Sequence, residues 1–67
     1  MIYLALVRQE RGLGQKVLAA AVARSQPWVA LVESQEITPS KAQLLKLAEV
    51  LAWKGDPMTL LKEVKIK

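Results

Sequence analysis

Residues 15–33 read QKVLAAAVARSQPWVALVE, two short apolar runs with a break between them. The first, Gln15 to Ala21, has Val17, Leu18, Ala19, Ala20 and Ala21 in its interior, mostly strong helix formers. The break falls at Val22-Ala23-Arg24 and contains neither Gly nor Pro. Ser25 then marks a helix start, because its hydroxyl can accept from the free backbone N–H groups of the next turn. Pro27 sits in that first turn, where a missing N–H costs nothing and a fixed φ suits a helix. The second run therefore extends from Gln26 to Glu33, with Val29 and Val32 three apart on one face. Its other side is expected to hold Gln26, Pro27, Trp28 and Leu31, none of them charged.

Outward from this stretch the chain continues to read as helix. Ile2 to Glu10 forms a helix that stops at Gly12, a residue able to take the left-handed conformation. Ser34 to Pro39 is a loop, and Ser40 followed by Gln43 is a capping box. From there Leu44, Leu47, Ala48 and Leu51 recur at helical spacing, up to a stop at Lys54-Gly55. Asp56 and Pro57 repeat the cap-and-proline start, and Met58, Leu60, Leu61 and Val64 outline a final short helix. The tail Lys65-Ile66-Lys67 is expected to fray. The reading is all-α: one compact five-helix domain spanning residues 1–67, with helix 1 at about Ile2–Glu10, helix 2 at Gln15–Ala21, helix 3 at Gln26–Glu33, helix 4 from Ser40 to the stop at Lys54-Gly55, and the short helix after Pro57.

Composition narrows what such a domain can do. At 67 residues it buries only about 60% of the surface its unfolded chain exposes, so its core is thin. With no Cys and no His it has no disulfide, thiol nucleophile or imidazole base, and no zinc site built on those ligands. The acids are scattered, and Ser25 and Ser40 are explained as caps, so neither an enzyme nor a cofactor or metal site is expected. No stretch approaches the ~20 apolar residues of a membrane span, and the N-terminus lacks the pattern of a signal peptide. The expectation is a cytoplasmic chain without a leader. Lys and Arg outnumber Asp and Glu by 10 to 6, for a net charge of +4 that favours an anionic partner. The surplus lies in residues 1–24 (four basic, one acidic) and 57–67 (three basic, one acidic).

Two helices joined by about three residues, the second capped by Ser, form a helix-turn-helix arrangement. The stretch Gln15–Glu33 resembles the phage-repressor/Cro-type (Xre-like) helix-turn-helix family: Gln at the start of helix 2, then Leu18-Ala19, a capping Ser25, two apolar residues three apart, and Glu33 at the close. Arg8 with Arg11-Gly12-Leu13 resembles the family's helix 1 ending. Pro39-Ser40 and Leu44-Leu45-Lys46-Leu47-Ala48-Glu49 resemble its helix 4, so the likeness covers roughly Leu4 to Leu61.

The resemblance implies a transcriptional regulator that binds double-stranded DNA with helix 3 in the major groove. It casts Gln26, Pro27, Trp28 and Leu31 as base-reading candidates, and Gln15, Lys16, Arg24 and Lys41 as phosphate contacts, with Arg11 a further basic candidate. Gln26 can pair bidentately with adenine N6 and N7, and Trp28 and Leu31 can pack on thymine methyls. Arg8 and Glu33 resemble a pair buried between helices 1 and 3, with a structural role.

Some positions depart from the pattern. Ala23 stands where the family often has Gly, and is comfortable only if φ stays negative or strain is tolerated. Arg24 replaces a common apolar residue, Gly14 replaces a Ser cap, and Glu36 lies in a loop where a phosphate neighbour calls for basic residues. An apolar Trp28–Leu31 patch would equally suit a protein partner, which makes a protein–protein interaction module the alternative. Ile2, Tyr3 and Leu6, with Trp53 and Met58, exceed what an exposed face requires, so they predict a homodimer, unless they thicken the monomer's core.

Overall fold

Four α-helices and one 3₁₀ segment follow one another in the computed structural model, which describes residues 1–65. They are α1 (Tyr3–Glu10), α2 (Gln15–Ala21), α3 (Gln26–Glu33), α4 (Lys41–Val50) and the 3₁₀ segment Pro57–Leu61. The expected fifth α-helix is thus a 3₁₀ turn. Asp56 caps it, its Oδ1 accepting the Met58 N–H at 3.0 Å, but five residues opening on a proline are too few to sustain an α-helical ladder. Ile66 and Lys67, where fraying was expected, lie outside the described residues.

Local chemistry explains each helix start. Ser25 Oγ accepts the Trp28 N–H at 3.3 Å, with Pro27 in the first turn of α3. Ser40 and Gln43 form the full reciprocal capping box, at 3.2 and 2.8 Å. Gly14 begins α2 with no side-chain cap. At α1 the cap comes from far along the chain: Ile2 offers no side-chain acceptor, and the Tyr3 N–H donates to the Lys62 carbonyl at 2.9 Å.

All four helices end alike. One residue past each C-cap turns left-handed, at Gly12 (φ 70°), Ala23 (φ 59°), Gln35 (φ 68°) and Ala52 (φ 55°). The amide of the next residue reaches back to the last turn, Leu13 to Arg8 O, Arg24 to Ala19 O, Glu36 to Leu31 O and Trp53 to Ala48 O, at 2.8–3.1 Å. This is the Schellman ending, which satisfies carbonyls the helix would leave open. Ala23 therefore adopts the strained conformation. Ala52 also ends α4 at Val50, short of the expected stop at Lys54-Gly55. Gly55 instead makes room for a ring. A Cβ there would lie 3.3 Å from the Trp53 side chain, whose Nε1–H donates to the Asp56 carbonyl.

The core gathers Leu4, Val7, Leu18, Val29, Val32, Leu44, Leu47, Leu51 and Leu60, with α2 packed on α3 and α4, and the 3₁₀ segment packed on α1 and α4. Ile2 joins it fully buried, because residues 62–64 return beside the N-terminus: Val64 N–H donates to Met1 O at 3.0 Å, and Ile2 bridges Glu63. That bridge is the one β-type pairing among the described residues. Ile2 thus thickens the monomer's core instead of lining a dimer surface. We expect Ile2→Ala to cost about 2–5 kcal/mol, as a large-to-small core change does. Thermal denaturation followed by circular dichroism checks this, and an unchanged melting temperature would place Ile2 outside the core. No described helix is long and apolar enough to cross a membrane.

Candidate functional site

The site begins with a charge that the fold has to accommodate. Arg8, on α1, is buried, and its guanidinium meets Glu33 at the end of α3 in a two-pronged contact: Nε to Oε2 at 2.6 Å and Nη2 to Oε1 at 3.2 Å. Its remaining prong, Nη1, donates to the Leu13 carbonyl at 2.7 Å. Both side chains are about 10% exposed. The pair expected between helices 1 and 3 is therefore formed, and it ties three parts of the chain together: α1, the turn after it, and the close of α3.

From Glu33 the hydrogen bonds run outward. Glu33 Oε1 accepts from Gln15 Nε2 at 2.9 Å, and Gln15 Oε1 accepts from Gln26 Nε2 at 2.7 Å. Arg has donors only and a carboxylate acceptors only, so the chain has one polarity from the core to the surface. Gln15 must turn its amide nitrogen inward and its oxygen toward Gln26. Gln26 must then donate inward, which leaves its Oε1 and its second N–H directed to solvent at the start of α3. Two residues expected to act separately, Gln15 on a phosphate and Gln26 on a base, are thus brought into one unit. Both polar atoms of Gln15 are engaged within the protein, and one of its two N–H hydrogens remains.

Trp28 does not stand where it was expected. It is 8% exposed and packs in the core with Val29 and Val32. The Arg24 guanidinium lies over its ring, 4.9 Å from the centroid, in cation–π geometry. Arg24 sits at a position that would normally be apolar, and the Trp28 ring lies in the core beneath it. Of the expected outer face of α3, Gln26 and Pro27 are exposed and Leu31 is 38% exposed. The apolar patch that would have anchored a protein partner on α3 thereby reduces to Leu31.

The basic residues divide by use. Arg11 donates from Nε to the Leu51 carbonyl at 3.0 Å, so it ties α1 to the end of α4 instead of standing free. Lys16 is exposed beside Gln15, and Arg24 is exposed above α3. Glu36 accepts from the Ser34 hydroxyl at 2.9 Å, in the turn after α3. Lys41, in the first turn of α4, lines a separate cleft of about 480 Å³ together with Leu45, Asp56 and Met58. Leu45 and Met58 are about half exposed there. No sequence signal marked this cleft, because it is assembled from the first turns of two elements brought together only by folding. Tyr3, Leu6 and Trp53 are half-buried.

Compared with known families, residues 2–61 match the family model described as a helix-turn-helix domain. Among curated proteins and among solved structures no significant match is found.

Proposed function

Because the chain belongs to the helix-turn-helix domain family, whose members bind DNA, we propose that it is a sequence-specific, double-stranded-DNA-binding transcriptional regulator of the repressor/Cro type, acting as a homodimer. The observation that carries this reading is the polarised series Arg8–Glu33–Gln15–Gln26. It holds an acceptor and a donor side by side at the start of α3, the pair that adenine N6–H and N7 require. Gln26 is the principal base reader, with Pro27 and Leu31 filling space against the bases. Gln15 turns its remaining N–H to a phosphate, joined by Lys16, Arg24 and Lys41. The exposed Leu45 and Met58 at the cleft supply apolar surface for a second copy.

Selection from random duplexes at two salt concentrations tests the reading. The expected product is an inverted repeat with half-sites about 10 base pairs apart, centre to centre. Affinity should fall with salt at a log–log slope of about −0.9 per phosphate neutralised. Gln26→Ala is expected to lose about 1–3 kcal/mol of discrimination at one adenine position, while leaving the other positions unchanged. Recovery of no sequence, or binding indifferent to salt, would overturn the proposal.

A further inference from the structure

Of the three arginines, two are held by acceptors of the protein itself, Arg8 by Glu33 and the Leu13 carbonyl, and the exposed Arg11 through its Nε by the Leu51 carbonyl. Arg24 differs. Among the described residues its guanidinium meets no carboxylate and no hydrogen-bond acceptor; what it meets is the face of Trp28. The ring itself is held in the core by Val29 and Val32 and their neighbours, so it is a fixed surface. The backbone beneath Arg24 is fixed as well: its N–H donates to the Ala19 carbonyl at 2.8 Å, directly after the left-handed Ala23. A guanidinium held over a ring face by cation–π attraction keeps its N–H donors free for a planar or tetrahedral oxyanion.

We propose that Trp28 is a positioning residue: it holds Arg24 in advance so that the guanidinium grips a DNA phosphate with two hydrogen bonds. This rests on the DNA-binding reading above and adds to it a role for a tryptophan that touches no base. An exposed arginine free to rotate would have to be ordered on binding; one already stacked is ordered before the duplex arrives. The same geometry explains why arginine serves at this position. A lysine ammonium has no flat face to lay on the ring and no fork to offer.

A double-substitution cycle on the intact chain decides the matter, with Arg24→Gln, Trp28→Leu and both together, each binding the same duplex across a salt series. Arg24→Gln in the wild-type background should lower the log–log salt slope by about 0.9, the share of one phosphate, and weaken all sequences alike. In the Trp28→Leu background the same change should cost distinctly less affinity, because an arginine ordered only on binding contributes less, and Trp28→Phe, which keeps an aromatic face, should preserve the wild-type behaviour. An equal loss from Arg24→Gln in both backgrounds would show Trp28 to be core alone and overturn the proposal. So would an unchanged slope in Arg24→Gln protein that still binds DNA, or a loss of preference at a single base pair, which would place Arg24 on a guanine edge. A wild-type protein that binds no duplex would overturn the DNA-binding reading along with this one. Should Trp28→Leu not fold, the wild-type protein answers by NMR. The Arg24 side-chain protons should lie upfield from the ring current and shift on addition of duplex; shifts at ordinary positions would overturn the stack.

Discussion

Glu33→Ala should remove a large part of the protein's stability. The substitution removes the one carboxylate that, among the described residues, faces the buried Arg8 guanidinium, and it strands Gln15 Nε2 as well. Removing one partner of a buried pair costs about 3–5 kcal/mol, because the remaining charge stays desolvated. A domain of this length has a total stability of about 3–10 kcal/mol at typical per-residue values. The melting temperature should therefore fall by at least about 12 °C, at roughly 4–8 °C per kcal/mol for a domain of this size. A companion variant separates stability from function. Replacing both charges by apolar residues of similar volume, Arg8→Met with Glu33→Leu, should recover much of the lost stability, since a buried pair is often matched by good packing. It leaves Gln15 without an anchor, so Gln26 loses its imposed polarity and the adenine preference should weaken although the fold is intact. A Glu33→Ala protein that melts like the wild type would show the pair to be solvated, and Gln26 would then have no imposed direction.

What can be read from the residues alone is whatever is decided within a few positions. Ser25 with Pro27, Ser40 with Gln43, and Asp56 with Pro57 each announce a helix start through a side chain reaching its own next turn, and all three caps are formed. Arg8 and Glu33 lie 25 positions apart; their pairing is available through the family resemblance and not through spacing. Trp28 departs from expectation for a geometric reason. At about 100° per residue, positions 28, 29 and 32 fall within one arc, with 32 between the other two. Val29 and Val32 do not by themselves define the inner face, because Trp28 and Val32 are four apart and so share it. Leu31 flanks that arc, which agrees with its partial exposure.

The remaining differences depend on contacts no local window contains. Ile2 is buried because residues 62–64 fold back over the N-terminus, and Arg11 is engaged by a carbonyl 40 positions away. The end of α4 is obscured in the sequence because its left-handed residue is Ala52, while a glycine stands three residues later, under the Trp53 ring.

The left-handed helix endings lead to the opposite kind of result, a more stable protein. Ala23, Gln35 and Ala52 occupy a region of φ where a Cβ is crowded by its own carbonyl, at about 1–2 kcal/mol per residue. Glycine removes that crowding, but it gains freedom in the unfolded chain, which offsets part of the benefit. The net expectation is about 0.5–1 kcal/mol for each of Ala23→Gly, Gln35→Gly and Ala52→Gly, and about 1.5–3 kcal/mol for all three, which lie at separate helix ends and should add. In melting temperature the triple variant should gain roughly 6–24 °C. Gln35→Gly should gain least, since it also gives up an exposed hydrogen bond to Glu63. Gly12 supplies the reverse experiment. A Cβ there would meet nothing within 4 Å, so Gly12→Ala isolates the backbone cost and should destabilise by about the amount each alanine-to-glycine change restores. Because Ala23 already holds the turn that glycine would hold, Ala23→Gly should leave the angle between α2 and α3, and with it DNA affinity, unchanged. If Ala23→Gly weakened binding while raising the melting temperature, the alanine's rigidity at the turn would be part of how Arg24 and Gln26 are presented.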